Sequence, residues 1–130
     1  MIDEILETII ALMQPLTTLT IRQAALPVGD GICLEAGAAG TVTTHLDRAT
    51  LEQMSCVMNA KCEDLQTARG TLTVLHHYLT RMATYPQNDD WQITDITTIG
   101  GPSVVSREPN GMWIVGSQIR VTYYDKEREQ

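Results

Sequence analysis

Phenylalanine is absent from these 130 residues, and two Trp and four Tyr are the only aromatic side chains. An interior built without Phe has to be filled by Leu, Ile, Val, Met and the two Trp. Basic residues are scarce: nine Lys and Arg stand against sixteen Asp and Glu, giving a net charge of −7. Such a chain is poorly suited to clamping a phosphate backbone or docking on an anionic membrane, both of which take clustered cations. No apolar run approaches the roughly 20 residues that a bilayer-spanning helix needs. Residues Met1 to Met13 carry acids where a secretory leader would carry bases, and they hold no cleavage site, so the expectation is a protein made and folded in a cytoplasm. The three cysteines, Cys33, Cys56 and Cys62, are too few and odd in number for a disulfide framework. Cys56 and Cys62 share a strand face with Met54 and Met58 and read as small buried hydrophobes.

What is present is a clear order of amphipathic segments. Ile2 to Met13 has an apolar stripe of Ile2, Ile5, Leu6, Ile9 and Met13. Asp3, Glu4 and Glu7 lie where the helix dipole favours acids. Pro15 stops that helix, and Leu16 to Leu26, with Thr18, Thr20 and Arg22 against Leu19 and Ile21, is expected to be a strand. Residues 26–41 are rich in Gly and Ala and read as a mobile loop or an extended hairpin, with Ile32-Cys33-Leu34 as a brief strand within it. Its glycine spacing fits neither the P-loop nor the dinucleotide fingerprint. Thr50 to Cys62 alternates as a strand. Glu63 to Ala83 steps through Leu65, Ala68, Leu72, Leu75, Leu79 and Met82 as the best helix, with Gly70 inside it. Trp91 to Ile99 is strand-like, and Gly100-Gly101 is expected to turn.

The most regular stretch is Pro102 to Tyr124. Pro109-Asn110-Gly111 marks a tight hairpin turn. After it, Trp113, Val115, Ile119, Val121 and Tyr123 fall on one face, broken by Ser117, and Gly116, Gln118, Arg120 and Thr122 on the other. This period-two pattern sets Trp113, Val115 and Ile119 toward a core. The tail, residues 125–130, is charged and expected to fray. The order helix, strands, helix, strands predicts a single α+β domain, with two helices packed on one face of a mainly antiparallel sheet.

No residue constellation for catalysis stands out. His76 and His77 are neighbours on a helix, about 100° apart, so they cannot share a metal as an i, i+4 pair does; they read as a rim contact and a solvated side chain. The pairs Asp3-Glu4, Glu63-Asp64 and Asp89-Asp90 fall at helix ends or turns, where acids are ordinary. No Ser sits in a nucleophile elbow. No catalytic, cofactor-binding or metal-binding residue is assigned, and no cofactor is called for. Gln118, Arg120 and Thr122 form a polar strand face that is either solvated or meets a neighbouring subunit.

Several features in fixed order carry a resemblance. These are the N-terminal Ile/Leu helix, the Gly-rich stretch after Leu26-Pro27, His45-Leu46-Asp47-Arg48-Ala49-Thr50 leading into a long strand, the Leu-striped helix, and the ending Val105 to Ile114 with Ser117 to Tyr124. Over nearly the whole chain this resembles the minor capsid or tail-terminator proteins of long-tailed bacteriophages and prophages. Arg48 stands where a Gly would follow the Asp in the family-like turn. The resemblance implies a structural, non-enzymatic virion protein at the head–tail junction. It would form a homohexameric ring that caps the tail tube and joins it to the head connector, with DNA only as passing cargo and no membrane. Gly29, Asp30, Gly37, Gly40, Gln118, Arg120 and Thr122 are then the candidate assembly interface. Two readings stay open beside it: a head-completion or stopper protein, and a small cytoplasmic ligand-binding domain or enzyme with a pocket between helix and sheet.

Overall fold

Two strands, Thr50–Cys62 (β3) and Trp113–Asp125 (β5), pair antiparallel without a register break, from Thr50 opposite Asp125 to Cys62 opposite Trp113. They are the middle of a five-stranded sheet in the computed structural model, which describes residues 2–23, 26, 29–44 and 50–126. Around them lie Ile21–Gln23 (β1), Gly31–Thr44 (β2) and Trp91–Arg107 (β4), in the order β1-β2-β3-β5-β4. Only the β1–β2 pair is parallel. Ile2–Met13 (α1) and Leu65–Thr80 (α2) are the two α-helices among the described residues. This is the α+β arrangement expected.

The alternation read from the residues decides which sheet face meets the helices. Met54, Cys56, Met58 and Ala60 of β3 and Val115, Ile119 and Val121 of β5 are wholly buried. They join Ile5, Ile9 and Met13 of α1 and Ala68, Leu72, Leu75 and Leu79 of α2 in one cluster. Both helices therefore cover the same face. The opposite residues of the central strands, Gln53, Ser55, Val57 and Asn59 with Gln118 and Arg120, are half-buried or exposed.

Local chemistry sets the element ends. Asp64 accepts from the Gln66 amide at 3.1 Å and from the Thr67 hydroxyl at 2.8 Å, so α2 starts at Leu65 rather than Glu63. The Tyr85 hydroxyl donates to the Leu79 carbonyl at 2.7 Å, closing a last-turn acceptor, and the helix ends at Thr80 rather than Ala83. The strand expected over Leu16 to Leu26 shrinks to Ile21–Gln23. Leu16 belongs to a 3-10 turn, Gln14–Leu16, and the Gln14 side chain holds the Leu19 carbonyl and the Ile21 amide at 2.8 and 3.0 Å.

Three expectations need correction. Of the two readings of the Gly-rich stretch, the mobile loop fails and the extended hairpin holds: residues 31–44 are a fourteen-residue strand, β2, paired antiparallel with the next strand, β3, through two register irregularities. Small side chains do not prevent a ladder when a long partner supplies the hydrogen bonds. Gly100-Gly101 does not turn; β4 runs through it. The 17 residues of β4 lie along the 13 of β5, and four register shifts absorb the difference of four. The tail expected to fray from residue 125 is ordered at its first two residues: Asp125 ends β5 and the Lys126 amide donates to the Asp90 carbonyl at 2.9 Å. Residues 127–130 and 45–49, with His45, lie outside the described residues.

The hairpin turn falls where Asn-Gly predicted, one step wider. The Gly111 amide donates to the Glu108 carbonyl at 2.8 Å, with Gly111 at φ +92°. Pro109 and Asn110 take the two central positions. Trp113, just beyond, is only half-buried, with the Arg107 guanidinium 4.7 Å above its ring. The buried tryptophan is Trp91, at 2% exposure. The expectation that Trp113 faces deep core is thus too strong, because it sits in the last pair of the ladder. Trp91→Ala should cost about 3–5 kcal/mol and Trp113→Ala about 1–2 kcal/mol in urea denaturation. Equal losses would contradict this placement.

Candidate assembly surface

The uncovered sheet face is laid out by register. Thr122 lies between Gln53 on β3 and Asp95 on β4; Arg120 lies between Ser55 and Thr97; Gln118 lies between Val57 and Gly100. On β2, Gly40 pairs with Gln53, which puts it in the Thr122 row. Gly37 falls in the β2 bulge between Ala36 and Ala39, and a Cβ there would stand 3.1 Å from the Ser55 carbonyl oxygen, which puts it in the Arg120 row. Five of the seven candidate interface residues, Gly37, Gly40, Gln118, Arg120 and Thr122, are therefore brought onto neighbouring rows of one sheet. Gly29 and Asp30 are not among them. They sit exposed at the far end of the sheet, beside a cleft of about 490 Å³ lined also by Cys62, Glu63, Asp64 and Met112.

A shallow groove of about 330 Å³ crosses the uncovered face between Val57, Asn59, Gly100, Ser103, Val105 and Gln118. Gly116 is its floor: a Cβ there would stand 2.7 Å from Asn59 Oδ1 and 2.8 Å from a Val105 methyl. Any side chain would force both aside. A glycine inside an alternating strand is the sequence signal for such close approach. The irregular half of β4 beside it turns apolar groups outward, with Ile99 at 38%, Val104 at 41% and Val105 at 62% exposure. These residues were missed because a turn was expected at Gly100-Gly101. The face offers polar rows at one end and aliphatic ones at the other, without a convergent set of titratable groups.

Burial pushes the Cys56 thiol up to about 12 and raises the Cys33 thiol, so both stay protonated at neutral pH. His76 is not a rim contact; it is buried between α2 and the sheet. Its Nδ1 lies 2.7 Å from Thr98 Oγ1 and its Nε2 lies 2.8 Å from Ser117 Oγ. The Ser117 hydroxyl is also 3.3 Å from the Met58 carbonyl. These distances are satisfied together if Ser117 donates to Met58 and accepts from Nε2–H, while Thr98 donates to a bare Nδ1. Ser117 breaks the apolar face of β5 because it is the anchor for His76. Among the described residues, no group of three or more His, Cys, Asp or Glu is placed to hold a metal ion. No described helix is long and apolar enough to cross a membrane.

No family model matches the chain, and no curated protein does. Among solved structures, a chain of the virion of the native gene transfer agent (GTA) particle has the same fold. The TM-score is 0.62 at 9% sequence identity, over 88% of this chain and 91% of that one. At that identity the likeness is one of fold, and it runs nearly end to end in both chains.

Burial, with His77 beside it, holds the His76 imidazole below its ordinary value of 6.5. Above about pH 6.5 both folded and unfolded chains carry it neutral, and its hydrogen bonds contribute fully. As pH falls below 6.5 the unfolded chain takes the proton first, so stability drops until the lower native value is passed. Urea denaturation between pH 7.5 and 5 should show this loss in the parent and a flatter profile in His76→Gln. Parallel profiles would contradict the buried neutral histidine.

Proposed function

We propose that this chain is a structural protein of a tailed-phage-type virion. More finely, it is a tail terminator that forms a homohexameric ring, caps the tail tube and joins it to the head connector. The observation that carries the reading is the likeness of fold, nearly end to end, to a chain of the GTA virion particle. The order of sequence features that resembles tail terminators supports the finer assignment.

The surface chemistry agrees with a subunit that works by contact. A sheet covered by helices on one face only leaves β3, β5 and β4 with a second face of half-buried and exposed groups. Ring closure needs a heterologous, head-to-tail interface, in which two different patches of the same chain meet. The Gln118, Arg120 and Thr122 rows with Gly37 and Gly40 serve as the contact between subunits. Gly29 and Asp30, at the other end of the sheet, serve as the contact between stacked rings. A chain of net charge −7 suits a channel through which DNA slides, because a lumen that gripped phosphates would impede passage. The interior polar group, His76 with Ser117 and Thr98, is spent on holding α2 to the sheet rather than on a reaction.

The test is to add the purified chain to tail tubes growing from the tube protein of the same virion. Tube lengths, measured by electron microscopy, should stop increasing, with a ring of density at the capped end. Tubes that keep lengthening without end density would refute the terminator assignment.

A further inference from the structure

The two helices carry opposite charge on their outer faces. In α1 every charged residue is an acid, and Asp3, Glu7 and Ala11 form an exposed stripe at four-residue spacing. In α2, Leu65–Thr80, there is no acid at all. Its outer face presents Arg69, Gly70, Val74 and His77, with Arg81 just past its end, all exposed. Val74 is 52% exposed and Tyr78 37%, large apolar groups on a face that none of the described residues covers. Gly70 has open space around the position of a Cβ. No internal packing therefore accounts for a residue that weakens a helix.

We propose that the outer face of α2 receives α1 of a second copy of this chain, antiparallel, as one of the head-to-tail contacts of the ring. The spacing fits. With Ala11 of the incoming helix set against Val74, Glu7 lies about 6 Å and Asp3 about 12 Å further along. On α2, Tyr78 lies about 6 Å and Arg81 about 10 Å beyond Val74 in the same direction. The acidic first turn of one helix thus meets the Arg81 end of the other, and opposite helix ends are also opposite in dipole. Ala11 and Gly70 allow the two backbones to approach closely at the other end, where Leu16, 40% exposed, extends the apolar contact. Each chain offers both halves, so the contact repeats from copy to copy. In an isolated chain the same groups are simply solvated.

This contact rests on the ring reading, and the experiment separates the two. Sedimentation of the parent chain, alone and with tail tubes, is compared with Arg81→Glu, with Asp3→Lys, and with both changes in one chain; circular dichroism confirms that each folds. Ring formation in the parent, at least a tenfold weakening in each single variant, and recovery in the double variant are expected. Single variants that assemble as the parent does would overturn the helix contact and leave the ring intact. Weakened singles without recovery in the double variant would overturn the pairing of these two residues. A parent chain that forms no ring under either condition would overturn both readings.

Discussion

The structure depends on one asymmetry, that the long β3–β5 pair has an oily face and a mixed face. Because side chains alternate strictly along a strand, the unbroken register from Thr50–Asp125 to Cys62–Trp113 keeps every inward residue of both strands on the same side. Met54, Met58, Val115 and Val121 then make a floor on which α1 and α2 lie. A slip of one residue would present Gln53, Ser55, Gln118 and Arg120 to the helices. The lack of Phe is tolerated because this floor is broad and built from flexible Met and branched aliphatic side chains that fit around one another.

The mixed face is shaped mainly by β4. Its four extra residues are taken up as irregularities, which twist the edge of the sheet and turn Ile99, Val104 and Val105 outward. Where the strand is least regular, the buried His76 ties α2 to it through Thr98 and to β5 through Ser117. The clamp lies in the rows on either side of that of Gln118, with Ser117 beside Met58 and Thr98 beside Ile119. Packing, irregularity and surface are linked there: the bulged strand is held by polar contacts from within while its aliphatic groups face out.

Much of this was legible in the residues. The bounds of α1 and β3, the side-chain parity of β5, and the burial of Cys56 follow from periodicity, which is a strong signal in segments of twelve or thirteen residues. The glycine-bearing strands were not legible. Residues 31–44 and Gly100-Gly101 have the composition of loops, and only pairing with long partners makes them strands, a tertiary effect that local propensity cannot register. His76 was misplaced for a related reason. Its role needed Ser117 and Thr98 to come together from 41 and 22 residues away. The odd Ser117 in an apolar face was a visible trace of it. The candidate surface was legible in part: Gln118, Arg120 and Thr122 were found from alternation. Gly116 and Val105 come into view only once the register is known.

On the function proposed above, the chain is a subunit whose surfaces are made for copies of itself and for virion partners. The most direct measurement is the mass of the purified protein in solution across a range of concentrations, by sedimentation equilibrium, with and without tail tubes. A ring subunit gives a closed species of six times the 14.4 kDa protomer in at least one of these conditions. A species that remains a 14.4 kDa protomer in both would contradict it.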